Sequence, residues 1–282
     1  MSLKNHLLEQ IRADLLQAIE NDAVVLPTLP EVALGIREAA SDPEVNIGML
    51  ASIIENDSSI TARILRVANS SLLRGLQPTI DVKGAIGRIG LSYTSTLVTT
   101  LAMQQIFLST KESLNKRMRA IWVQSADVAA ISYILARSQP HLKPELATLA
   151  GIIHQIGCLP ILSYAVGRGF LRDHPEMLDQ ALLHISPEIG RKILEVWGFS
   201  DELAVVPDSY LRFDRQVPQA DYTDLVTVAT LRSAVGTSHP LADVDWATVS
   251  AFSRLGLPVS PDEEATDDYQ QQLEVMQGLL RE

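Results

Sequence analysis

An all-α fold is predicted from three features of this 282-residue sequence: apolar residues recur at helical spacing in segment after segment, no alternating apolar–polar run is long enough to build a sheet, and only 5% of residues are aromatic. Leu, Ala, Ile and Val dominate the 46% hydrophobic share, which suits helix packing and is enough for a sizeable core.

The elements follow in order. Leu3, Leu7, Leu8, Ile11, Leu15 and Ile19 fall on one stripe and predict an amphipathic first helix. "LPTLPEVAL" then interrupts the chain, and Pro30 suits the first turn of a helix running through Ala40. "SDPE" stops that helix, and another is expected to begin near Asn46. Asp57 is placed to cap a helix that ends near Asn69 with Ile60, Ile64, Leu65 and Ala68 facing inward. "RGLQPTIDVKGAIGRIG" carries Gly84, Gly87 and Gly90 three apart; this is not the dinucleotide-binding spacing, and a helix with turns is expected. A long pattern through Leu114, Met118, Ile121, Trp122, Ser125, Val128, Ile131 and Leu135 predicts a helix ending before Pro140. Pro144 opens a segment apolar on all sides, "LATLAGIIHQIGCLPIL", expected as a buried central helix. "SPEIGRKILEVWGF", "DELAVV", "DYTDLVTVATLRSAVG" and "DWATVSAFSRLG" each show helical spacing with a Gly or Pro near an end. The carboxylates of "SPDEEATDDYQQQL" suit the first turns of a last helix beginning near Ser260, where they complement its dipole.

Charge and composition narrow the function classes. A formal net charge of −11 repels a phosphate backbone, so no nucleic-acid partner is expected. Arg63, Arg66 and Arg74 form the nearest approach to a basic patch, and they read as the solvated face of a helix. The first residues are charged throughout and no apolar run approaches the roughly 18 residues of a membrane span, which together with a single cysteine, Cys158, points to the cytosol and away from a membrane. Cys158 itself reads as a buried small apolar residue.

"LPTLPEVALGIREAASDPEVNIGMLASIIENDSSITARILRVANSS" followed by "IDVKGAIGRIGL" resembles the HDOD domain of bacterial signalling proteins, a degenerate branch of the HD metal-dependent phosphohydrolase superfamily. "IWVQSADVAAISYILAR", "ATLAGIIHQIGCLPIL", "SPEIGRKILEVWGF" and "LVTVATLRSAVG" continue the resemblance in order, from about Leu26 to Gly236. The resemblance implies a multi-helical HD-like bundle, with an N-terminal helical subdomain over residues 1–110 packed on an HD-like helical subdomain over residues 111–282. It also implies a role in signal transduction. No receiver, cyclase or kinase segment flanks the match, so output is expected to pass through a separate protein partner.

A working HD site holds a divalent metal between an adjacent His–Asp pair, a His from the preceding helix and an Asp from a later one; the metal acidifies a bound water and stabilises phosphoryl charge. By resemblance, His154 keeps the imidazole while Gln155 stands in the Asp place. Where the family reads Trp-x-His-Ser, this chain has Trp122, Val123, Gln124 and Ser125; Ser186 falls where a His precedes the Glu-x-Gly of "SPEIG". The later His pair falls near Tyr210 and Leu211, and the last Asp at Thr230. Amides and hydroxyls are poor ligands for a hard cation, so no catalytic residue, metal or cofactor is expected and His154 should bond a neighbour such as Gln124. Asp127 and His184 are the residues from which a shifted metal site could be rebuilt, and a divalent metal belongs only to the alternative of an active phosphohydrolase on a nucleotide or phosphoester. A polar pocket left between the helices could take a small nucleotide-like ligand.

Overall fold

The computed structural model describes residues 3–20, 29–73, 75, 77–108, 115–167, 174–260 and 267–281, and among them there are helices and turns but no strand. In chain order the helices are α1 (Leu3–Glu20), α2 (Glu31–Ala40), α3 (Ile47–Glu55), α4 (Ser58–Ala68), α5 (Val82–Ile89), α6 (Leu91–Leu108), α7 (Asn115–Ala136) and α8 (Pro144–Ile153). There follow α9 (Cys158–Gly167), α10 (Pro175–His184), α11 (Ser186–Val196), α12 (Asp201–Ala204), α13 (Val206–Ser209), α14 (Tyr222–Ala234), α15 (Ser250–Leu255) and α16 (Asp267–Arg281). Short 3-10 turns at Pro240–Asp243 and Trp246–Thr248 join α14 to α15.

Helix starts follow the side-chain chemistry. Asn46 accepts from the Met49 amide, Asp57 from Ser59 and Ile60, and Asp81 from Gly84, so each satisfies an amide that a helix start leaves unpaired. α5 ends at Gly90, whose φ of +91° lets the chain turn into α6.

Two apolar cores result. The smaller is built by α2 to α5 with Leu97, Val98, Leu101 and Ala102 of α6; the larger takes Met103, Ile106 and Phe107 of the same helix and everything after it. The expected unit of residues 1–110 is corrected at both ends: Ile11 and Leu15 of α1 bury in the larger core, and the cores part inside α6. Arg37 of α2 ties them together by donating to the carbonyls of Trp197 and Gly198, each at 2.7 Å, while stacking over Phe199.

The basic patch is also corrected. Arg63 is 9% exposed and donates to Gln104 and to the Leu279 carbonyl, so it links α4 to α6 and α16, and burial followed by Arg66 holds its pKa down at about 10. Arg63 and Val67 take the inner face, leaving Leu65 half-buried. Arg74 and Leu114 lie outside the described residues, as do residues 261–266 at the expected start of the last helix.

The apolar central segment is two helices. Pro160 has no amide to donate and its ring would collide with the Ile156 carbonyl in a continuous helix, so the chain turns over residues 154–157 and restarts as α9. By length and mean hydropathy, 1.6, Pro144–Ala165 could cross a membrane, which corrects the expectation that no run comes near; 83% of that window is buried inside the protein. Gly151 lets α8 press on α7: a Cβ there would lie 2.4 Å from the Ala129 Cα.

Candidate functional site

A cavity of about 540 Å³ opens where α7, the turn after α8, the α10–α11 corner, the residues after α13 and α14 converge. Gln124, Gln155, Cys158, Ser186, Tyr210 and Thr230 face it. Helical geometry explains the meeting, since each side chain sits at a helix end or on a helix face turned toward the common axis. Ile121, Leu182, Leu183, Leu211 and Leu241 supply its apolar walls.

His154 lies behind this wall. Its ring is 2% exposed and meets Tyr210 edge-on, with centroids 4.9 Å apart. Nδ1 stands 2.6 Å from the Gly151 carbonyl, which can only accept, so Nδ1 carries the proton and Nε2 presents a lone pair without a partner. The neighbour that His154 bonds is the Gly151 carbonyl and not Gln124: α8 ends at Ile153, which frees that carbonyl. Burial pushes the imidazole pKa down to about 4, opposed by the Gly151 bond.

That burial predicts a pH dependence. The unfolded imidazole titrates near 6.5 and the folded one near 4, so between these values only the unfolded chain takes up a proton. Stability from this group is full above pH 6.5, falls as pH drops and levels off below about 4. Urea denaturation at about pH 7.5 and about pH 5 should show a loss of about 2 kcal/mol that His154→Gln abolishes. Equal losses in both proteins would mean that His154 is not held neutral.

Other atoms around the cavity are also unsatisfied. Gln155 Oε1 and Thr230 Oγ1 have no hydrogen-bond partner, and Thr230 is 2% exposed. Gln155 engages the Tyr210 hydroxyl, and Ser186 donates to the Leu182 carbonyl at 2.5 Å. Cys158 is buried, and burial drives its thiol pKa up to about 11, against a contact with Ser186 that lowers it. A thiol so far from ionising is a poor nucleophile.

Asp127 is not at this site. It accepts from Arg281 and from Gln277, the latter at 3.0 Å, and fastens α16 to α7. His184 is exposed and bonded to Gln180. The shifted site built on these two residues is therefore corrected: they do not line the cavity. Among the described residues no group of three His, Cys, Asp or Glu side chains could hold a metal ion. The side chains lining the cavity offer carboxamides, hydroxyls, the Cys158 thiol, the His239 imidazole and a single carboxylate, Asp179, already paired with Arg117, a set that does not fit a hard divalent cation, which requires several anionic or carbonyl oxygens.

A family model for the HDOD domain matches residues 26–207. The chain belongs to the HDOD family. The HDOD chain is also similar, at 30% identity and a TM-score of 0.83, to a solved structure from Shewanella amazonensis SB2B named as a candidate metal-dependent phosphohydrolase, covering 97% of this chain and 99% of that one. A candidate signal transduction protein from Marinobacter aquaeolei VT8 shares the fold at 21% identity and a TM-score of 0.67, over 98% of this chain and 66% of that one. An uncharacterized protein of Treponema pallidum (strain Nichols) is 21% identical over 223 residues, which are 72% of this HDOD chain and 40% of that protein. The chain thus spans less than half the length of that curated relative.

Sequence reasoning missed the residues that set the spacing of two elements beside the cavity. A Cβ on Gly157 would lie 2.0 Å from the Ser186 carbonyl oxygen and 2.5 Å from the Gly190 amide nitrogen, so two glycines set how closely the turn after α8 approaches α11. The "SPEIG" motif contained the signal, since Gly190 is the glycine that ends it.

Proposed function

We propose that this HDOD chain is a non-catalytic regulatory module of bacterial, cytoplasmic signal transduction, in which a degenerate HD site serves recognition. The observation that carries this reading is the chemistry of the cavity: neutral Gln124, Gln155, Ser186 and Thr230 stand where the resemblance would put metal ligands. Unpartnered Gln155 Oε1 and Thr230 Oγ1 suit a pocket that hydrogen-bonds a guest. The family and the signalling name of the Marinobacter aquaeolei protein support it further. Output passes to a separate protein partner or answers a small ligand.

The alternative, a metal-dependent phosphohydrolase, draws on the bare Nε2 of His154 and on the name of the Shewanella amazonensis protein. Elemental analysis of protein purified without chelators separates the two. Metal well below one ion per chain is expected, with Gln155→Asp run beside it as the variant that restores a carboxylate. One or two tightly held ions per wild-type chain would overturn the proposal and call for a phosphatase and phosphodiesterase screen.

A further inference from the structure

Building on the recognition reading, we infer that the cavity takes an uncharged planar heterocycle of the purine class, presented without a phosphate. Size admits it: about 540 Å³ lies within the roughly 300–1,000 Å³ of small-molecule sites. Shape and polarity suit it as well. Ile121, Leu183, Leu211 and Leu241 with the Tyr210 ring offer apolar surface, and Leu183 is 51% exposed, a large apolar side chain that a flat guest would cover.

The hydrogen-bonding groups choose the chemistry. Gln124 on α7 carries a donor and an acceptor side by side in one plane, the pattern with which a carboxamide pairs a purine edge, and Gln155 after α8, whose amide engages the Tyr210 hydroxyl, keeps Oε1 as an acceptor. Thr230 adds a hydroxyl, and its Oγ1 and Gln155 Oε1 have no protein partner. An unsatisfied buried polar atom costs about 1–3 kcal/mol, which a guest with matching groups recovers.

Charge excludes the phosphate. Among the described residues no Lys or Arg lines the cavity, and its carboxylate, Asp179, has 61% of its side chain exposed and is paired with Arg117 at 2.7 Å. His239 at the rim accepts from the Leu241 amide with Nδ1. The start of α11 does not serve as an anion site, because α10 runs directly into it through Ile185 and Ser186 Oγ is engaged by the Leu182 carbonyl. A phosphate here would be desolvated with no opposite charge.

The experiment is isothermal titration calorimetry of the full chain with adenosine, guanosine, their 5′-monophosphates and inorganic phosphate, in buffer containing EDTA. At least one nucleoside should bind, its monophosphate about tenfold or more weaker, and phosphate not at all. Thr230→Val, which keeps the side-chain shape, and Gln124→Leu, on a different helix, should each weaken nucleoside binding about tenfold, and thermal melting identifies the variant that remains folded. The inference falls if neither nucleoside binds, if a monophosphate binds as tightly as its nucleoside, or if the folded variants bind like wild type. A metal-free chain that binds no nucleoside loses only this ligand class, whereas a stoichiometric metal ion overturns the regulatory reading itself.

Discussion

Gly157→Ala lowers the stability of the chain by about 3 kcal/mol or more, because the added methyl meets backbone and not a movable side chain. The Ser186 carbonyl oxygen and the Gly190 nitrogen would lie 2.0 and 2.5 Å from it, and Gly190 is itself held by Pro207, 2.8 Å from where its own Cβ would stand. Relief therefore requires α11 to move away from the turn after α8. That movement also widens the cavity between Gln155 and Ser186, so guest binding should weaken along with stability. Gly87→Ala is the control: it sits in α5 with nothing within 4 Å of its Cβ position, and alanine there should stabilise by about 0.5–1 kcal/mol. Urea denaturation of the two variants decides the matter, and a Gly157→Ala protein as stable as wild type would show that the helix contact is looser than the geometry states.

Asp224→Ala costs about 3–5 kcal/mol, the range for removing one partner of a buried ion pair. The Asp224 side chain is 1% exposed and accepts from Arg254 Nε and Nη2 at 2.8 and 2.7 Å and from Arg215 Nη1 at 3.0 Å. With Asp221 it also closes a capping box at the start of α14, each carboxylate accepting from the other's backbone amide. Alanine leaves the Arg254 guanidinium, 14% exposed, without its carboxylate. Asp224→Leu combined with Arg254→Met removes both charges, and that double variant should recover much of the loss, as apolar replacement of buried pairs does elsewhere. Denaturation midpoints for the single and double variants test this, and additive losses would mean that the two side chains are not coupled.

Legibility differed from residue to residue. Asp57 and Asn46 marked helix starts because capping is local: the bonds join residues two or three apart and need no other part of the fold, and Pro30 did so through its fixed φ, without a capping bond. The positions Gln124, Gln155, Ser186, Tyr210 and Thr230 were singled out through the order of family motifs, and all five line one cavity. Asp127 was misjudged for a long-range reason. Its helix position leaves it open to any cation the fold delivers, and the fold delivers Arg281, 154 residues away. Arg63 was misread in the same way, since its spacing is that of a solvated face and its partners, Gln104 on α6 and the Leu279 carbonyl on α16, lie far along the chain.

The sequence by itself determined the all-α class, the caps and punctuation of most helices, and the family. All of these are properties of residue type and short spacing. Tertiary structure decided where the two cores divide, that the apolar segment breaks at His154, that this histidine bonds the Gly151 carbonyl, and that two glycines bring α11 against the turn after α8. Those outcomes depend on contacts between residues far apart in the chain. Close packing settles them at the scale of a single methyl group, which residue order alone does not encode in any one place.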